Sequence, residues 1–390
     1  MPASAPRRAA VAAIATGLVL LAAAAPAQAA GPHPSDASRP AAALLQRRLD
    51  SLVTDLGVPG ALATVQDRYG RTESRTAGVG DLATGTPVPR DGAIRAGSNT
   101  KTFVAVAVLQ LVGERRIDLD REIERYLPGL VRGPGGDGRD ITVRQLLQQT
   151  SGLPNYSEYL ADDIRHYEPG ELLALALAHP ATSAPDNSKE RAWKYSNTNY
   201  LLAGMLVERV TGHPLAQELD QRIIQPLGLR HTYFPASGET TIKGRHPRGY
   251  YRETADAPFV DVTDIDHSWA WAAGQLVSTP SDIDRFFSAL LGGELLEEPE
   301  LREMRRATSD ASVTFGPGAA YGLGLVSRPL SCGGVYWGHG GSIPGYESRV
   351  GVTEQGRRAV TVAVNEQRND APGRARLDEV VDATLCAGPR

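Results

Sequence analysis

A serine stands three residues before a lysine in the stretch RAGSNTKTF, and this pair could carry out covalent chemistry. At the start of a helix, Ser98 and Lys101 would lie on one turn, within reach of each other. A serine hydroxyl becomes a strong nucleophile when a base takes its proton, and a lysine can be that base when burial or another cation lowers its pKa. The alternative is a helix-capping serine followed by a surface lysine. The residues after Lys101 are almost wholly apolar, which predicts a helix buried on nearly every side and favours the nucleophile.

A tyrosine and an asparagine stand two residues apart in KYSNTNYLLAG, just before an apolar helical pattern. In an extended segment, that spacing points the side chains of Tyr195 and Asn197 in the same direction. A phenol can act as an acid or a base, and an amide can hold a lysine or a substrate carbonyl. The alternative is a tyrosine packed on the helix and an asparagine that caps it.

A histidine followed by two glycines occurs in the strand-like segment VYWGHGGSIPGYES. Gly340 and Gly341 would let a ligand approach the edge of the strand closely. His339 could relay a proton, or could hold a substrate carboxylate when it is charged. The alternative is a half-buried histidine at a bulge.

The elements that must position these segments fall into two groups. Strand patterns occupy 61–66, 72–79, 321–326, 335–338, 347–353 and 359–365, and helical patterns occupy 41–56, 103–111, 143–149, 200–210, 280–291 and 375–385. Strands therefore occur near both ends of the chain, with helices between them. The simplest architecture is an α+β fold, an α/β sandwich whose antiparallel sheet is built from both chain ends, flanked by helices, with a mostly helical domain inserted.

This pattern predicts a sheet domain of residues 41–97 plus 310–390 and a mostly helical domain of residues 98–309. The cleft between two such domains is a common place for an active site. We therefore expect the three segments to meet in this cleft.

The first residues of the chain are typical of an export signal. A basic pair at Arg7 and Arg8 precedes an apolar run, and Ala27-Gln28-Ala29 is a small-x-small cleavage site. Residues 1–29 are therefore predicted to be a signal peptide, and the Pro/Ala/Ser-rich residues 30–40 a flexible tether. Export by the general secretion route or by the twin-arginine route stays open. No later apolar run is long enough to span a membrane, so we expect a secreted, extracellular protein with no membrane anchor.

Composition excludes several classes of partner and cofactor. The formal net charge is −4 and the basic residues form no stripe, which argues against nucleic acid. Cys332 and Cys386 are the only cysteines, and in an exported protein we expect them to form a disulfide. The acidic run before His267 is interpreted as solvated rather than as a cation site. No metal and no cofactor are implied.

The three motifs, in this order, resemble those of the penicillin-recognising serine hydrolases. That family includes the serine DD-peptidases, class C β-lactamases, D-aminopeptidases and related esterases. The resemblance extends to ITVRQLLQQTSGL, YSNTNYLLAGMLVERVTG, SWAWAAGQLVSTPSDIDRFFSALLGG and YGLGL. The placement of the two cysteines is most similar to that in secreted D-alanyl-D-alanine carboxypeptidases of actinobacteria. The resemblance implies a β-lactamase/transpeptidase-like fold.

The resemblance also implies roles for individual residues. The implied catalytic residues are Ser98, Lys101, Tyr195, Asn197 and His339. The implied oxyanion and substrate-binding residues are Ser342, Gly340, Gly341, Trp269 and Arg328. In these roles the serine is acylated, the lysine and tyrosine shuttle its proton, the asparagine holds the lysine and the substrate amide, and the histidine supports the tyrosine and the substrate end. The oxyanion hole would consist of the backbone N–H groups of Ser98 and Ser342.

The chain departs from the family pattern at positions that concern specificity. The third motif is His-Gly-Gly rather than Lys-Thr-Gly, which argues against an efficient β-lactamase. The carboxypeptidases have a threonine at the position of Gly340 and an arginine at the position of Val326, and both help to grip a substrate carboxylate. Ser342 and Arg328 could compensate if the strand register agrees.

We expect a secreted serine hydrolase that forms an acyl-enzyme. The leading hypothesis is a D-alanyl-D-alanine carboxypeptidase that acts on peptidoglycan stem peptides and is acylated by β-lactam antibiotics such as penicillins. The alternative is a D-aminopeptidase, amidase or esterase of the same family. A β-lactamase is less expected, and a non-catalytic protein that binds cell-wall fragments is expected least.

Overall fold

The computed structural model describes residues 34–161, 165–183, 193–307, 309–368 and 370–387. Its strands are β1 Gly60–Gln66, β2 Thr72–Asp81, β3 Thr86–Pro87, β4 Ile94–Arg95, β5 Arg132–Gly133, β6 Gly136–Asp137, β7 Tyr250–Tyr251, β8 Val260–Asp261, β9 Val277–Ser278, β10 Ser309–Asp310, β11 Ala320–Tyr321, β12 Val326–Pro329, β13 Val335–Gly338, β14 Gly340–Ile343, β15 Tyr346–Thr353 and β16 Ala359–Val364. Its α-helices are α1 Pro34–Leu56, α2 Thr100–Gly113, α3 Val143–Leu147, α4 Pro169–Leu177, α5 Asn197–Thr211, α6 Leu215–Leu219, α7 Gln225–Leu227, α8 Trp271–Gly274, α9 Pro280–Leu291, α10 Glu298–Arg305, α11 Ser312–Phe315 and α12 Ala371–Cys386.

Ten of these strands form one antiparallel sheet in the order β10-β11-β12-β13-β15-β16-β1-β2-β3, and β14 also pairs with β15. The two ends of the chain meet at the middle of this sheet, where β1 pairs with β16 and Ala61 lies opposite Val364. The predicted sheet built from both ends is thus confirmed, as is the mixed α and β fold class. The remaining strands form three short two-stranded pairs.

Helices cover both faces of the sheet. On the outer face, α1 and α12 pack against β1, β2, β15 and β16, and their apolar side chains share a core with Val360 and Val362. On the inner face, α9 packs against β1, β15 and β16. The hydroxyl of Thr361 donates a 2.7 Å hydrogen bond to the buried carboxylate of Asp284, which ties α9 to β16. The helix that covers the inner face of the sheet, α9, therefore belongs to the predicted helical domain.

The helix α9 illustrates why local signals predicted some elements well. The hydroxyl of Thr279 accepts a hydrogen bond from the backbone N–H of Asp282, and Pro280 occupies the first helical position. Both features start helices because they satisfy or remove amide donors that have no intrahelical partner. The predicted bounds of 280–291 are therefore those found.

Two predicted elements differ most from those found. The helix predicted from Ala41 begins at Pro34, so the tether predicted for residues 30–40 overlaps α1 from Pro34 onward. The strand predicted at 321–326 is instead divided between β11 and β12. Gly324 has a φ of +74°, and a Cβ on Gly322 would lie 2.1 Å from the carbonyl oxygen of Met304, so this segment turns where a strand was expected.

The disulfide between Cys332 and Cys386 is present, as predicted, and joins the segment before β13 to the end of α12. In the part of the chain that the structure describes, no helix combines the length and apolarity needed to cross a membrane. The predicted signal peptide, residues 1–29, lies outside the described residues. The domain boundaries at residues 97 and 310 stay predictions.

Candidate active site

Ser98 lies in a single 3-10 turn, Gly97–Asn99, that leads directly into α2. Gly97 has a φ of +52°, a left-handed conformation that a glycine adopts without strain. The position before α2 is Asn99, and no side chain caps this helix, so the capping interpretation of Ser98 is wrong. Almost every residue of α2 is buried, as predicted, while Ser98 stays half-buried at its start.

The side chain of Lys101 is completely buried beneath Ser98. Its Nζ lies 3.0 Å from the Oγ of Ser98, 2.8 Å from the Oδ1 of Asn197 and 2.7 Å from the carbonyl oxygen of Ala273. Burial lowers the pKa of Lys101 well below its ordinary value, because the charged ammonium loses its hydration. Ser98 and Lys101 are therefore in contact, and the lysine does not lie on a solvent-exposed surface.

Asn197 is the first residue of α5, and three hydrogen bonds fix its orientation. Its backbone N–H donates to the Oδ1 of Asn155 at 3.0 Å, and its side-chain Nδ2 donates to the Oγ of Ser157 at 3.1 Å. The side-chain Oδ1 is left facing Lys101, from which it accepts. The start of α5, residues 155–157 and the lysine thus hold one another in place.

Tyr195 completes the group around Ser98 and Lys101. The Nζ of Lys101 lies 4.9 Å from the centre of the Tyr195 ring, so the phenol packs beside the lysine that contacts Ser98. Burial, followed by the neighbouring phenol of Tyr321, raises the pKa of Tyr195 well above its ordinary value. At neutral pH the phenol is therefore protonated and can donate a proton.

The strand β14 runs alongside the turn that carries Ser98. It pairs with β15 on one side, and its other edge faces the 3-10 turn. A Cβ on Gly341 would lie 2.1 Å from the carbonyl oxygen of Ala96, so only a glycine allows this approach. A Cβ on Gly97 would lie 2.9 Å from the backbone nitrogen of Ser342. The backbone of Ser342 therefore lies close to the turn that carries Ser98, and the oxyanion hole of the two amides stays a prediction.

His339, directly before β14, is buried and neutral. Its Nε2 lies 3.4 Å from the hydroxyl of Tyr321, and its ring centre lies 6.4 Å from that of Tyr195. Burial, and then the positive charge of Lys101, lower the pKa of His339 to about 3. Near neutral pH this histidine therefore brings no positive charge to the site.

Arg328 does not join the other predicted site residues. It forms an ion pair with Asp378 of α12, and its side chain is only 12% exposed. In the register found, Arg328 lies opposite Tyr336 and Val326 lies opposite Gly338, so the arginine is two positions further along β12. Its carboxylate-binding role therefore stays a prediction, with Asp378 as its partner in this arrangement.

Gly340 and Trp269 lie at the edges of the site. A Cβ on Gly340 would lie 2.9 Å from Nη1 of Arg349, so this buried arginine occupies the space beside the middle of the third motif. Trp269 is half-buried, and its carbonyl oxygen accepts a 2.7 Å hydrogen bond from the hydroxyl of Tyr156.

Several residues of the site were not identified from the sequence. Tyr321 lies in the quoted segment YGLGL, and Gln149 lies in ITVRQLLQQTSGL, so a signal existed for both. Ala273 lies in SWAWAAGQLVSTPSDIDRFFSALLGG, so a signal existed for it too. The ring of Phe315 had no sequence signal, because its position depends on contacts between distant segments.

No metal site accompanies this group within the described residues, where no three His, Cys, Asp or Glu side chains converge. In the acidic run before His267, Asp261 and Asp264 both pair with Arg248. These two carboxylates therefore share one cationic partner.

Comparison with known proteins gives several relatives. A profile of the family described as Beta-lactamase matches residues 45–385. Esterase EstB of Burkholderia gladioli is 35% identical over 208 residues, which are 50% of this chain and 51% of the esterase. The putative penicillin-binding protein PbpX of Bacillus subtilis is 26% identical over 70% of this chain and 62% of that protein. Protein flp of Staphylococcus aureus is matched over only 36% of its length, so the chain spans about a third to two thirds of these curated relatives.

Solved structures match over most of the chain. A D-stereospecific amidohydrolase from a Streptomyces species is 38% identical, with a TM-score of 0.78, over 89% of this chain and 99% of that one. A D-amino acid amidase from Ochrobactrum anthropi, in a complex with L-phenylalanine amide, is 30% identical, with a TM-score of 0.79, over 89% of this chain and 98% of that one.

The profile match over nearly all described residues and the likeness at 38% identity agree with the resemblance of the three motifs. The same three motifs meet around one serine in the structure. The chain belongs to the Beta-lactamase family, the penicillin-recognising serine hydrolases.

Proposed function

We propose that this chain is a serine amidohydrolase that acts on D-amino-acid amides, short D-peptides or related esters through an acyl-enzyme on Ser98. This is the alternative to the D-alanyl-D-alanine carboxypeptidase expected first. The observation that carries it is the state of the cations near the site. His339 is neutral, and Arg328 and Arg349 are both ion-paired with buried or half-buried carboxylates. A carboxypeptidase must hold a substrate carboxylate next to the scissile bond, and an amidase or esterase has no such need.

The first step is activation of Ser98 by Lys101. A neutral amine has two N–H donors and one lone pair. The carbonyl oxygen of Ala273 and the Oδ1 of Asn197 are pure acceptors, so they take the two donors. The lone pair then faces the Oγ of Ser98 at 3.0 Å and can accept its proton as the oxygen attacks the substrate carbonyl.

The carbonyl oxygen of the substrate becomes negative as the new C–O bond forms. The backbone N–H groups of Ser98 and Ser342 would donate to this oxygen, and preorganised donors of this kind are a large part of catalysis in acyl transfer. The close packing of β14 on the 3-10 turn, made possible by Gly341 and Gly97, supports this assignment.

The leaving amine or alcohol needs a proton when the bond to the carbonyl carbon breaks. Tyr195 is protonated and its ring packs beside Lys101, so we assign it to pass a proton to the leaving group, with the proton that Lys101 took from Ser98 replacing it. Water then attacks the acyl-enzyme by the same route in reverse, giving its proton to the same bases and releasing the acid and free Ser98.

The similar proteins support this substrate class. One is named a D-stereospecific amidohydrolase, one a D-amino acid amidase and one an esterase. The likeness to a putative penicillin-binding protein keeps the carboxypeptidase as the second candidate, with peptidoglycan stem peptides as its substrates. Secretion, directed by the predicted signal of residues 1–29, is part of the proposal because D-amino-acid peptides occur in the cell wall.

The test compares substrates on one enzyme. Purified protein is assayed with D-phenylalanine amide, L-phenylalanine amide, p-nitrophenyl acetate and an N-acylated peptide that ends in D-Ala-D-Ala, and is incubated with a fluorescent penicillin. We expect turnover of the D-amide and the ester to exceed release of D-alanine, and we expect covalent labelling by the penicillin.

The variant Ser98→Ala should abolish turnover and labelling, because it removes the attacking oxygen. Ser51→Ala on α1, which covers the outer face of the sheet, is the matched control and should behave as the wild type. Faster release of D-alanine than hydrolysis of any amide would contradict the amidase proposal in favour of the carboxypeptidase. Full activity in Ser98→Ala would contradict both.

A further inference from the structure

Two arginines and two carboxylates form a buried group behind the third-motif strand. Arg328 of β12 pairs with Asp378 of α12, and the Nε of Arg349 lies 3.2 Å from the same Oδ1 of Asp378. The Nη1 of Arg349 lies 2.8 Å from the Oε1 of Glu347, which is fully buried. The side chains of the two arginines are 12% and 9% exposed. The group is neutral as a whole, and neither guanidinium faces open solvent.

A small cavity of about 10 Å³ separates this group from the candidate active site. The residues that line it include Phe315, Val326, Arg328, His339, Arg349 and Asp378. This volume is about that of one water molecule, so the cavity is too small for a substrate carboxylate. His339 therefore lines the same cavity as the guanidinium groups of Arg328 and Arg349.

The ring of Phe315 lies between this cavity and the catalytic group. Its centre is 5.9 Å from that of Tyr195 and 5.4 Å from that of His339. The guanidinium of Arg328 lies 5.8 Å from the same ring centre. Phe315 is only half-buried, so the ring contacts the arginine and the catalytic tyrosine and also reaches accessible surface.

Arg349 reaches closest to the catalytic strand. Because Gly340 has no side chain, Nη1 of Arg349 extends to 2.9 Å from the place where a Cβ would stand. Val326, at the position where the carboxypeptidases have an arginine, is 2% exposed and packs with Phe315 in a small apolar cluster. Two apolar side chains, Phe315 and Val326, thus lie on the active-site side of the two arginines.

We propose that Phe315 and Asp378 together exclude substrate carboxylates from a latent anion pocket formed by Arg328 and Arg349. This inference rests on the proposed amidase function and names the device that sets its specificity. A carboxylate that approaches the ring of Phe315 would lose its hydration without gaining a polar partner. The free-energy cost of this desolvation is large for an ion and small for a neutral amide or ester. Asp378 already forms ion pairs with both guanidinium groups and repels a second anion.

The test uses two substrates that differ only in the excluded group: D-alanyl-D-alanine, which has a free carboxylate, and D-alanyl-D-alanine amide. Cleavage of the bond between the two residues is followed by chromatography for both, and kcat/KM is measured. The variants are Phe315→Ala and Phe315→Ala with Asp378→Asn. The control is Val313→Ala, on the same short helix and fully exposed to solvent.

Opening the pocket should raise the preference for the carboxylate. A hydrogen bond to a charged group is worth enough to change the ratio of the two kcat/KM values about tenfold, so we expect about that increase in Phe315→Ala and a larger one in the double variant. Free acetate should inhibit the double variant more strongly than the wild type. Val313→Ala should keep the wild-type ratio.

The ratio is read only in variants with cooperative thermal unfolding and measurable hydrolysis of the amide. If Phe315→Ala does not fold, Phe315→Leu with Asp378→Asn takes its place, since leucine keeps apolar contacts but has a smaller side chain than phenylalanine. An unchanged ratio of the two kcat/KM values in folded variants would overturn the proposal that Phe315 and Asp378 exclude substrate carboxylates. A wild type that prefers the carboxylate substrate would instead refute the proposed amidase function, so the two failures are distinguishable.

Discussion

Burial favours the neutral form of three ionisable side chains at the candidate site. The pKa of Lys101 falls, that of Tyr195 rises, and that of His339 falls to about 3. A neutral amine beside a serine is a base, and a neutral phenol beside the same serine is an acid. One physical cause, the loss of hydration, thus prepares both halves of a proton shuttle around Ser98.

The first prediction concerns Lys101 as the base. Since only the neutral amine accepts a proton, kcat/KM should rise with pH along a limb whose midpoint lies well below the ordinary lysine value of 10.5. Lys101→Arg keeps the positive charge but cannot lose its proton at any usable pH, so we expect a loss of about 10²- to 10⁴-fold, the usual worth of a general base. The pH profile of D-amide hydrolysis measures both effects.

The control for that experiment is Lys243→Arg. Lys243 pairs with Glu239 at the surface, and its side chain is 63% exposed. This substitution should leave the profile unchanged. An ascending limb that persists unaltered in Lys101→Arg would mean that another group supplies the base.

At the scale of elements, the site depends on a loop residue in a strained conformation. Gln149 has a φ of +65°, unusual for a residue that is not glycine, and is 1% exposed. Its Oε1 accepts from the backbone N–H of Ser196 at 3.0 Å and from the amide of Asn199, on either side of Asn197. Its carbonyl oxygen accepts from the backbone N–H of Lys194. The segment after α3 therefore holds the Tyr-Ser-Asn segment from below.

The second prediction tests this support with Gln149→Gly. Glycine relieves the backbone strain, which is worth about 1 kcal/mol or more, but it leaves the N–H of Ser196 and the side-chain amide of Asn199 without their acceptor, at about 1 to 3 kcal/mol each. The free energy of unfolding should therefore fall by about 1 to 3 kcal/mol, while kcat should fall about tenfold or more as Tyr195 and Asn197 lose their positions. Thermal unfolding and kcat are measured on the same preparation.

The neighbouring substitution Gln148→Ala is the control, because Gln148 has ordinary right-handed helical angles at the end of α3. It should alter neither quantity much. A Gln149→Gly enzyme with the wild-type kcat would show that the tyrosine and asparagine keep their positions without this support.

The elements that could be predicted from the sequence are those whose start and end signals are local. The helix at 280–291 and the strand at 335–338 were found at the predicted bounds, because each is delimited by Pro and Gly residues. Ser98, Lys101, Tyr195, Asn197 and His339 lie in three separated motifs, and the structure brings them together.

The features that could not be predicted from the sequence are contacts between distant segments. The pairing of Arg328 with Asp378 links residues 50 positions apart, and the packing of Phe315 on Tyr195 links residues 120 positions apart. No periodicity or spacing in the sequence reports such contacts. They nevertheless decide whether a cation faces the substrate, so the specificity was the least predictable property.

For the molecule as a whole, the sheet connects the site to the end of the chain. Strand β14, which forms one side of the site, pairs with β15, and α12 packs on the outer face of β15 and β16. The end of α12 is held by the disulfide of Cys386 and by Asp382, whose Oδ1 accepts from the backbone N–H of Ser331 at 2.8 Å. Since α12 also carries Asp378, its position affects both stability and the arginine group.

The third prediction separates these two effects by replacing Cys332 and Cys386 with alanine. Their sequence separation of 54 residues corresponds to a loop-entropy stabilisation of about 4 kcal/mol in the unfolded-chain model, so the free energy of unfolding should fall by about 2 to 4 kcal/mol. Packing of α12 on the sheet and the bond from Ser331 to Asp382 remain, so kcat at 25 °C should change less than twofold. Denaturant unfolding with and without dithiothreitol measures the change. The reductant should destabilise the wild type and leave the double-alanine protein unaffected, and equal stability of the oxidised and reduced wild type would contradict the prediction.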